Sequence, residues 1–345
     1  MKKLRYILAF CFLIIAGAIV MIGCEKKTSG SGKLPAGTYT WLAGGEGGGW
    51  YTVAGEFARF LSEKEPGITI HVVPGGGIGN PVSLDQGEGE IAWGVGYVNR
   101  AAYNGVAPLF QKKYTNIASI AGTLSVDYYH FLAGKEMGIT TIEQLAQKIK
   151  GGEKINLAAA ASGTTDYVMA SIILDYYSVS FDMIEQNGGS VNQTVYGDMI
   201  KMFMDSRVDY AIVNFGMPAA VVTEMIEGRS SVILAASNEL IDYCHYTWGT
   251  VARSSGLSRI PGGTYPGIDN DVPAVCHSTE IIVSPRLPEA VAYTFTKVLN
   301  ENKDFLVQIG ANYNAFDPKG AAASSVQVPL HRGAARYYRE AGVLQ

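Results

Sequence analysis

Residues 37–64 read GTYTWLAGGEGGGWYTVAGEFARFLSEK. Gly37 to Ala43 has the composition of a short strand, Tyr51 to Lys64 that of an amphipathic helix, and the glycine-rich Gly44 to Tyr51 joins them. A strand that runs through a glycine turn into a helix is the building unit of α/β proteins. Glycine also lets backbone N–H groups approach a ligand closely, and a helix N-terminus adds favourable potential for negative charge. The loop lacks the Gly-Lys-Ser/Thr ending of a phosphate loop and the third glycine of the dinucleotide fingerprint, so a nucleotide site does not follow. Gly47, Gly48, Gly49, Trp50 and Tyr51 are therefore expected to meet a smaller ligand.

The same alternation continues outward. Ile68 to Val73 and Ile91 to Val95 read as strands, with a helical stretch around Val82 to Gln86 between them. Helix Thr141 to Ile149 leads to strand Lys154 to Ala159 and helix Thr165 to Tyr177. Val191 to Met204 is expected as helix, Val208 to Val213 as strand, Pro218 to Ile226 as helix, and Pro329 to Ala341 as a final helix. Tyr128 to Ala133 and Ser278 to Ser284 stand apart as apolar strands before charged or proline-marked turns, and read as paired crossings between lobes. On that basis residues 37–126 with 276–345 form one lobe and 127–275 the other, each a mixed sheet flanked by helices.

Three further segments could carry ligand contacts. Gly75-Gly76-Gly77-Ile78-Gly79-Asn80 is a second glycine turn, in which Asn80 serves either helix-start chemistry or a ligand. Ala161-Ser162-Gly163-Thr164-Thr165-Asp166 stands before a long helix in the opposite lobe, where hydroxyls and free N–H groups suit a carboxylate or phosphate, although Ser162 or Thr165 would also serve as a plain cap. Asn214-Phe215-Gly216-Met217-Pro218 ends a strand, the place where open α/β sheets bind ligands, and makes Asn214, Gly216, Met217 and Pro218 candidates. Tyr97, just after the third strand, is a further polar candidate. Glycine loops from two lobes suggest a cleft that closes on a small anion. No Gly-x-Ser-x-Gly elbow, oriented histidine or paired acid points to catalysis, and no cofactor is implied.

The N-terminus sets the location. Lys2, Lys3 and Arg5 precede an apolar run from Tyr6 to Ile22 that ends at Gly23 and Cys24, the order of a secretory signal. Cleavage of residues 1–23 would leave Cys24 for lipidation, followed by a Ser/Gly/Lys tether over residues 24–36. The competing reading is a membrane-spanning anchor, which needs ~20 apolar residues. Either way the folded body is expected outside the cytoplasm, tethered to the membrane.

A formal charge of −4 with scattered Lys and Arg argues against a nucleic-acid partner. Of the four cysteines, Cys244 and Cys276 stay in the folded body, where they would pair in an oxidising compartment or remain two buried thiols. The five histidines, His71, His130, His245, His277 and His331, show no metal-ligand spacing.

Pro261 to Pro273 (PGGTYPGIDNDVP) and Pro329 to Tyr338 (PLHRGAARYY), supported by Gly87 to Ala92 and Tyr103-Asn104-Gly105, resemble TAXI-type solute receptors of tripartite ATP-independent periplasmic (TRAP) transporters. The resemblance runs from about Trp41 to Val343. It implies a type II periplasmic-binding-protein fold with two hinge strands, and a receptor that hands a small carboxylate-bearing solute to an ion-gradient-driven permease. Relatives take glutamate, glutamine or 2-oxoglutarate. This chain departs from them at Gly49-Trp50-Tyr51-Thr52 and Val95-Gly96-Tyr97, which shifts the expected ligand toward a keto acid, a simple dicarboxylate or a more apolar acid. Other expectations left open are a receptor serving an ABC transporter or membrane sensor, and a surface interaction protein with a vestigial cleft.

Overall fold

Cys276 to Val283 (β12) is buried along its whole length, with His277, Ser278, Thr279 and Glu280 among the apolar residues. A strand buried on both faces sits inside a sheet, and β12 is the centre of this one. The computed structural model describes residues 36–46, 49–322 and 327–345. The first 35 residues, which carry the expected signal, Cys24 and nearly all of the expected tether, and Gly47 and Gly48 lie outside that set.

In chain order the first half holds β1 (Gly37–Leu42), α1 (Gly49–Lys64), β2 (Ile68–Val73), α2 (Gly79–Gln86), β3 (Ile91–Val95), α3 (Gly96–Asn104) and β4 (Ala118–Ala121). Then follow β5 (Val126–Gly134), α4 (Ile142–Lys150), β6 (Asn156–Ala160), α5 (Thr165–Tyr176), α6 (Phe181–Gln186), β7 (Ser190–Thr194), α7 (Tyr196–Met204), β8 (Tyr210–Gly216), α8 (Ala220–Gly228), β9 (Ser231–Ile233) and α9 (Asn238–Tyr243). A short pair, β10 (Arg259–Ile260) and β11 (Val272–Pro273), precedes β12, and α10 (Glu289–Glu301), α11 (Lys303–Ile309) and α12 (Arg332–Glu340) close the chain.

The strand order is β2-β1-β3-β12-β5-β8-β6-β7, with β4 also on β12 and β9 on β5. On one side β1 is parallel to β2 and β3; on the other β6 is parallel to β7 and β8. Between them, β12 runs antiparallel to β3 and β4 through residues 279–283 and to β5 through residues 276–278. One strand thus belongs to both halves, and β5 crosses beside it. This is a two-lobed, mixed α/β architecture with two crossing strands.

Local chemistry explains most boundaries. Thr141 and Gln144 form a reciprocal capping box at the start of α4, and Thr164 caps α5 by accepting from the Tyr167 N–H at 3.2 Å. Residues 191–204 do not form one helix. Residues 190–194 are the polar edge strand β7, which takes its conformation from its ladder with β6, and α7 starts only at Tyr196. The last helix likewise starts later than its sequence suggests: Leu330 bridges to Ser119, and His331 caps α12 by accepting from the Gly333 N–H.

The cysteines do not pair. Cys244 and Cys276 are free buried thiols, each packed in a different apolar cluster, and burial pushes both up to about 12.

Candidate functional site

Three helices begin around one cleft. Gly49 of α1, Gly79 of α2 and Thr165 of α5 all line a cavity of about 780 Å³, together with Gly44, Gly45, Gly76, Gly77, Gly163 and Thr164 from the turns before those helices. Each helix start leaves backbone N–H groups without intrahelical partners, so the cleft gathers donors and positive potential. Gly163 has φ +86°, a left-handed turn that a side chain would strain. Gly77 is needed for another reason: a Cβ there would stand 2.7 Å from Thr165 Cγ2, so the second glycine turn and the start of α5 touch across the cleft.

The apolar wall is Trp50, Ile78, Val95, Phe215, Ile309 and Tyr313. Trp50 is stacked on buried Trp93, with ring centroids 5.7 Å apart, and the Trp93 Nε1–H donates to the Trp50 carbonyl at 3.0 Å. The start of α1 is therefore held by a ring beneath it.

The floor comes from strand ends meeting a helix. Asp127 of β5 stands in register with His277 of β12 on one side and Gly216 of β8 on the other. Asp166, in the first turn of α5, accepts from Tyr196 of α7, from Asn214 Nδ2 at 2.9 Å and from Thr165 Oγ at 3.3 Å. The second hydrogen of Asn214 Nδ2 reaches His277 Nε2 at 2.9 Å. That makes Nε2 the acceptor and places the ring proton on Nδ1, toward the Ser278 carbonyl. Burial pushes His277 down to about 4, against the opposing pull of Asp166, so the ring is neutral at pH 7. Burial, with the Asp166 charge adding, pushes Asp127 up to about 7. Among the described lining residues the charged side chains are Asp127 and Asp166; none is Lys or Arg.

Of the residues singled out in the sequence, Gly49, Trp50, Gly163, Thr164, Thr165, Asn214 and Gly216 meet in this cleft. Gly47 and Gly48 fall outside the described residues. Tyr51, Ser162, Met217 and Pro218 stand off the described wall: exposed Ser162 donates its N–H to Gln193 Oε1, and Pro218 borders a separate groove with Met204 and Glu224.

Two candidates are corrected outright. Asn80 is neither a helix cap nor a ligand contact. It is buried, Nδ2 donates to the carbonyls of Leu42, Ala43 and Trp93 at 3.2, 2.9 and 2.8 Å, and Oδ1 accepts from the Gly76 N–H at 2.8 Å. It fixes both glycine turns to β1 and β3. Replacing Asn80 by Ala is expected to lower stability by about 3 kcal/mol, because several buried carbonyls lose their donor; urea denaturation checks it. Tyr97 is also fully buried and spends its hydroxyl on the Thr165 carbonyl at 2.8 Å, supporting α5 from behind.

Asp127, Tyr196 and His277 were missed in the sequence as site residues. Tyr196 lies in a segment read as a plain helix, and Asp127 and His277 stand one residue before the strands read as crossings; strand register sets those two side by side, and Tyr196 reaches the floor through Asp166.

Residues 41–342 match the NMT1-like family. Among solved structures, the chain is similar to a TctC solute binding protein from Polaromonas at 12% identity over 88% of this chain and 97% of that one, with a TM-score of 0.50. It is likewise similar to PhnD1 from Prochlorococcus marinus in complex with methylphosphonate, at 11% identity over 89% and 98% of the two chains, with a TM-score of 0.50. MatC from Rhodopseudomonas palustris with bound malate is 15% identical over 89% and 99%, with a TM-score of 0.49. At these identities the likeness is one of fold, the type II periplasmic-binding-protein fold. With the match covering nearly all of the described body, the chain belongs to the NMT1-like family.

Proposed function

We propose that this chain is an extracytoplasmic receptor for a small organic solute bearing a carboxylate, of the TAXI type that serves a TRAP permease. The observation that carries the reading is the convergence of three helix N-termini and their glycine turns on one cleft of about 780 Å³. Backbone N–H groups at helix starts hold an anion without a basic side chain. The solute's carboxylate sits on those N–H groups, while Trp50 and Phe215 pack on its carbon body.

In this reading residues 37–126 with 276–345 form one lobe and residues 127–275 the other, hinged where β5 and β12 cross. Closure brings the Gly77 turn against Thr165, and the permease recognises the closed form. The protein binds and releases without turnover. Its tether is the segment after Cys24, acylated at the outer face of a membrane.

Thermal unfolding of the ligand-stripped body against amino acids, keto acids and dicarboxylates tests the reading. An acid present at ~100 times its Kd stabilises by about 2.7 kcal/mol, a shift of several degrees. No shift with any carboxylate would remove the receptor reading.

A further inference from the structure

The two carboxylates of the floor differ in what they already hold. Asp166 is supplied by Tyr196, Asn214 and Thr165. Asp127 receives no hydrogen bond from any described residue, although it lines the cleft and lies half-buried. Its Oδ1 stands 3.2 Å from where a Cβ on Gly216 would be, so the glycine leaves the carboxylate room beside the strand. An acceptor that faces the cleft without a donor from the protein is open to one brought by a ligand.

Resting on the receptor reading above, we infer that Asp127 selects a solute carrying an N–H or O–H donor on the carbon next to its carboxylate, ammonium above hydroxyl, and disfavours the matching keto acid. A keto oxygen would face the Asp127 carboxylate as a second acceptor. It could be held only if Asp127 were protonated and donated. A charged ammonium is preferred because Asp127 and Asp166 are the ionisable acids facing it, and the described wall places no cation against it.

The two ligand classes give opposite pH dependence. Asp127, at about 7, is faced by Asp166 from α5, neutral His277 from β12, Tyr196 from α7 and Tyr313 from residues 311–315, with Tyr128 of β5 and Cys276 of β12 as further ionisable neighbours. The phenols and the thiol are raised by burial and His277 is lowered, away from the window between pH 6 and 8, whereas the carboxyl of Asp127 changes charge within it. A donor ligand binds the ionised form, releases a proton and gains affinity as pH rises through that window. A keto ligand binds the protonated form and loses affinity.

The experiment is calorimetric titration of the mature protein with matched series that differ only at one carbon: alanine, lactate and pyruvate; aspartate, malate and oxaloacetate; glutamate, 2-hydroxyglutarate and 2-oxoglutarate. It is run at pH 6 and 8 and repeated with Asp127→Asn, with apo thermal unfolding to show that the variant folds. Within the series that binds, the amino member is expected to exceed the keto member by about tenfold or more, as for a charge-assisted hydrogen bond, and Asp127→Asn to erase both the preference and the pH slope. A keto member that binds as tightly as its amino and hydroxy partners, or a preference that survives Asp127→Asn, overturns the inference and leaves the receptor intact. Silence from every series in both proteins overturns the carboxylate reading, and the inference with it.

Discussion

Replacing Asp166 by Ala is expected to cost about 2–4 kcal/mol of stability and to weaken ligand binding by tenfold to a hundredfold, on the usual scale of hydrogen bonds to a charged group. The variant leaves the Tyr196 hydroxyl only the Asn214 carbonyl at 3.2 Å, and strands one hydrogen of Asn214 Nδ2 and the Thr165 hydroxyl. These donors come from α7, β8 and α5, so the carboxylate ties three elements of the cleft together. With it gone, Asn214 is free to turn and His277 Nε2 loses a partner held at 2.9 Å. Denaturant titration and calorimetry with the acid identified by thermal shift read the two effects separately. Asp166→Asn keeps the volume and one acceptor oxygen, and should fall between wild type and Asp166→Ala in stability. If Asp166→Ala loses stability with unchanged affinity, the network is scaffolding and takes no part in capture.

Trp93→Ala should be the most destabilising single change to the wall, at about 3–5 kcal/mol for truncating a buried aromatic. Trp93 is 1% exposed and packs on Trp41 at 5.7 Å, Trp50 at 5.7 Å and Tyr313 at 6.2 Å. Its loss removes the ring beneath Trp50 and the N–H that holds the Trp50 carbonyl. Trp93→Phe restores a ring without the N–H and is expected to recover all but about 1 kcal/mol. Affinity should follow stability in this pair, because Trp50 is placed by Trp93. Equal affinity in wild type and Trp93→Ala would show that Trp50 does not touch the ligand.

Where the sequence carried a local signal, the fold was legible. β3 matches its expected bounds of Ile91 to Val95, and α5 differs from expectation by a single residue at its end, because apolar runs are local facts; its cap, however, is Thr164, where the sequence offered Ser162 or Thr165. β7 was not legible, since Ser190 to Thr194 has the composition of an exposed face and becomes a strand only by pairing with β6. The cleft divides in the same way. The glycine turns and the start of α5 declare themselves by composition. Asp127 and His277 do not: each stands one residue before a segment read as a crossing strand, and the floor they form depends on β5 and β12 pairing over a long stretch of chain. Asn80 misled for the converse reason. A polar residue in a glycine turn looks available, and only the carbonyls of Leu42, Ala43 and Trp93 reveal that its capacity is used internally.

The place of β12 also governs the order in which the molecule can be assembled. β3 finds its antiparallel neighbour only in residues 279–283, near the end of the chain, after the whole intervening half has been made. Until then the first sheet has an open edge, and pairing across so many residues is slow compared with local helix formation. A chain built this way cannot finish its first half during synthesis. It remains open until β12 is made, and a fragment ending before residue 276 would expose that unpaired edge to aggregation.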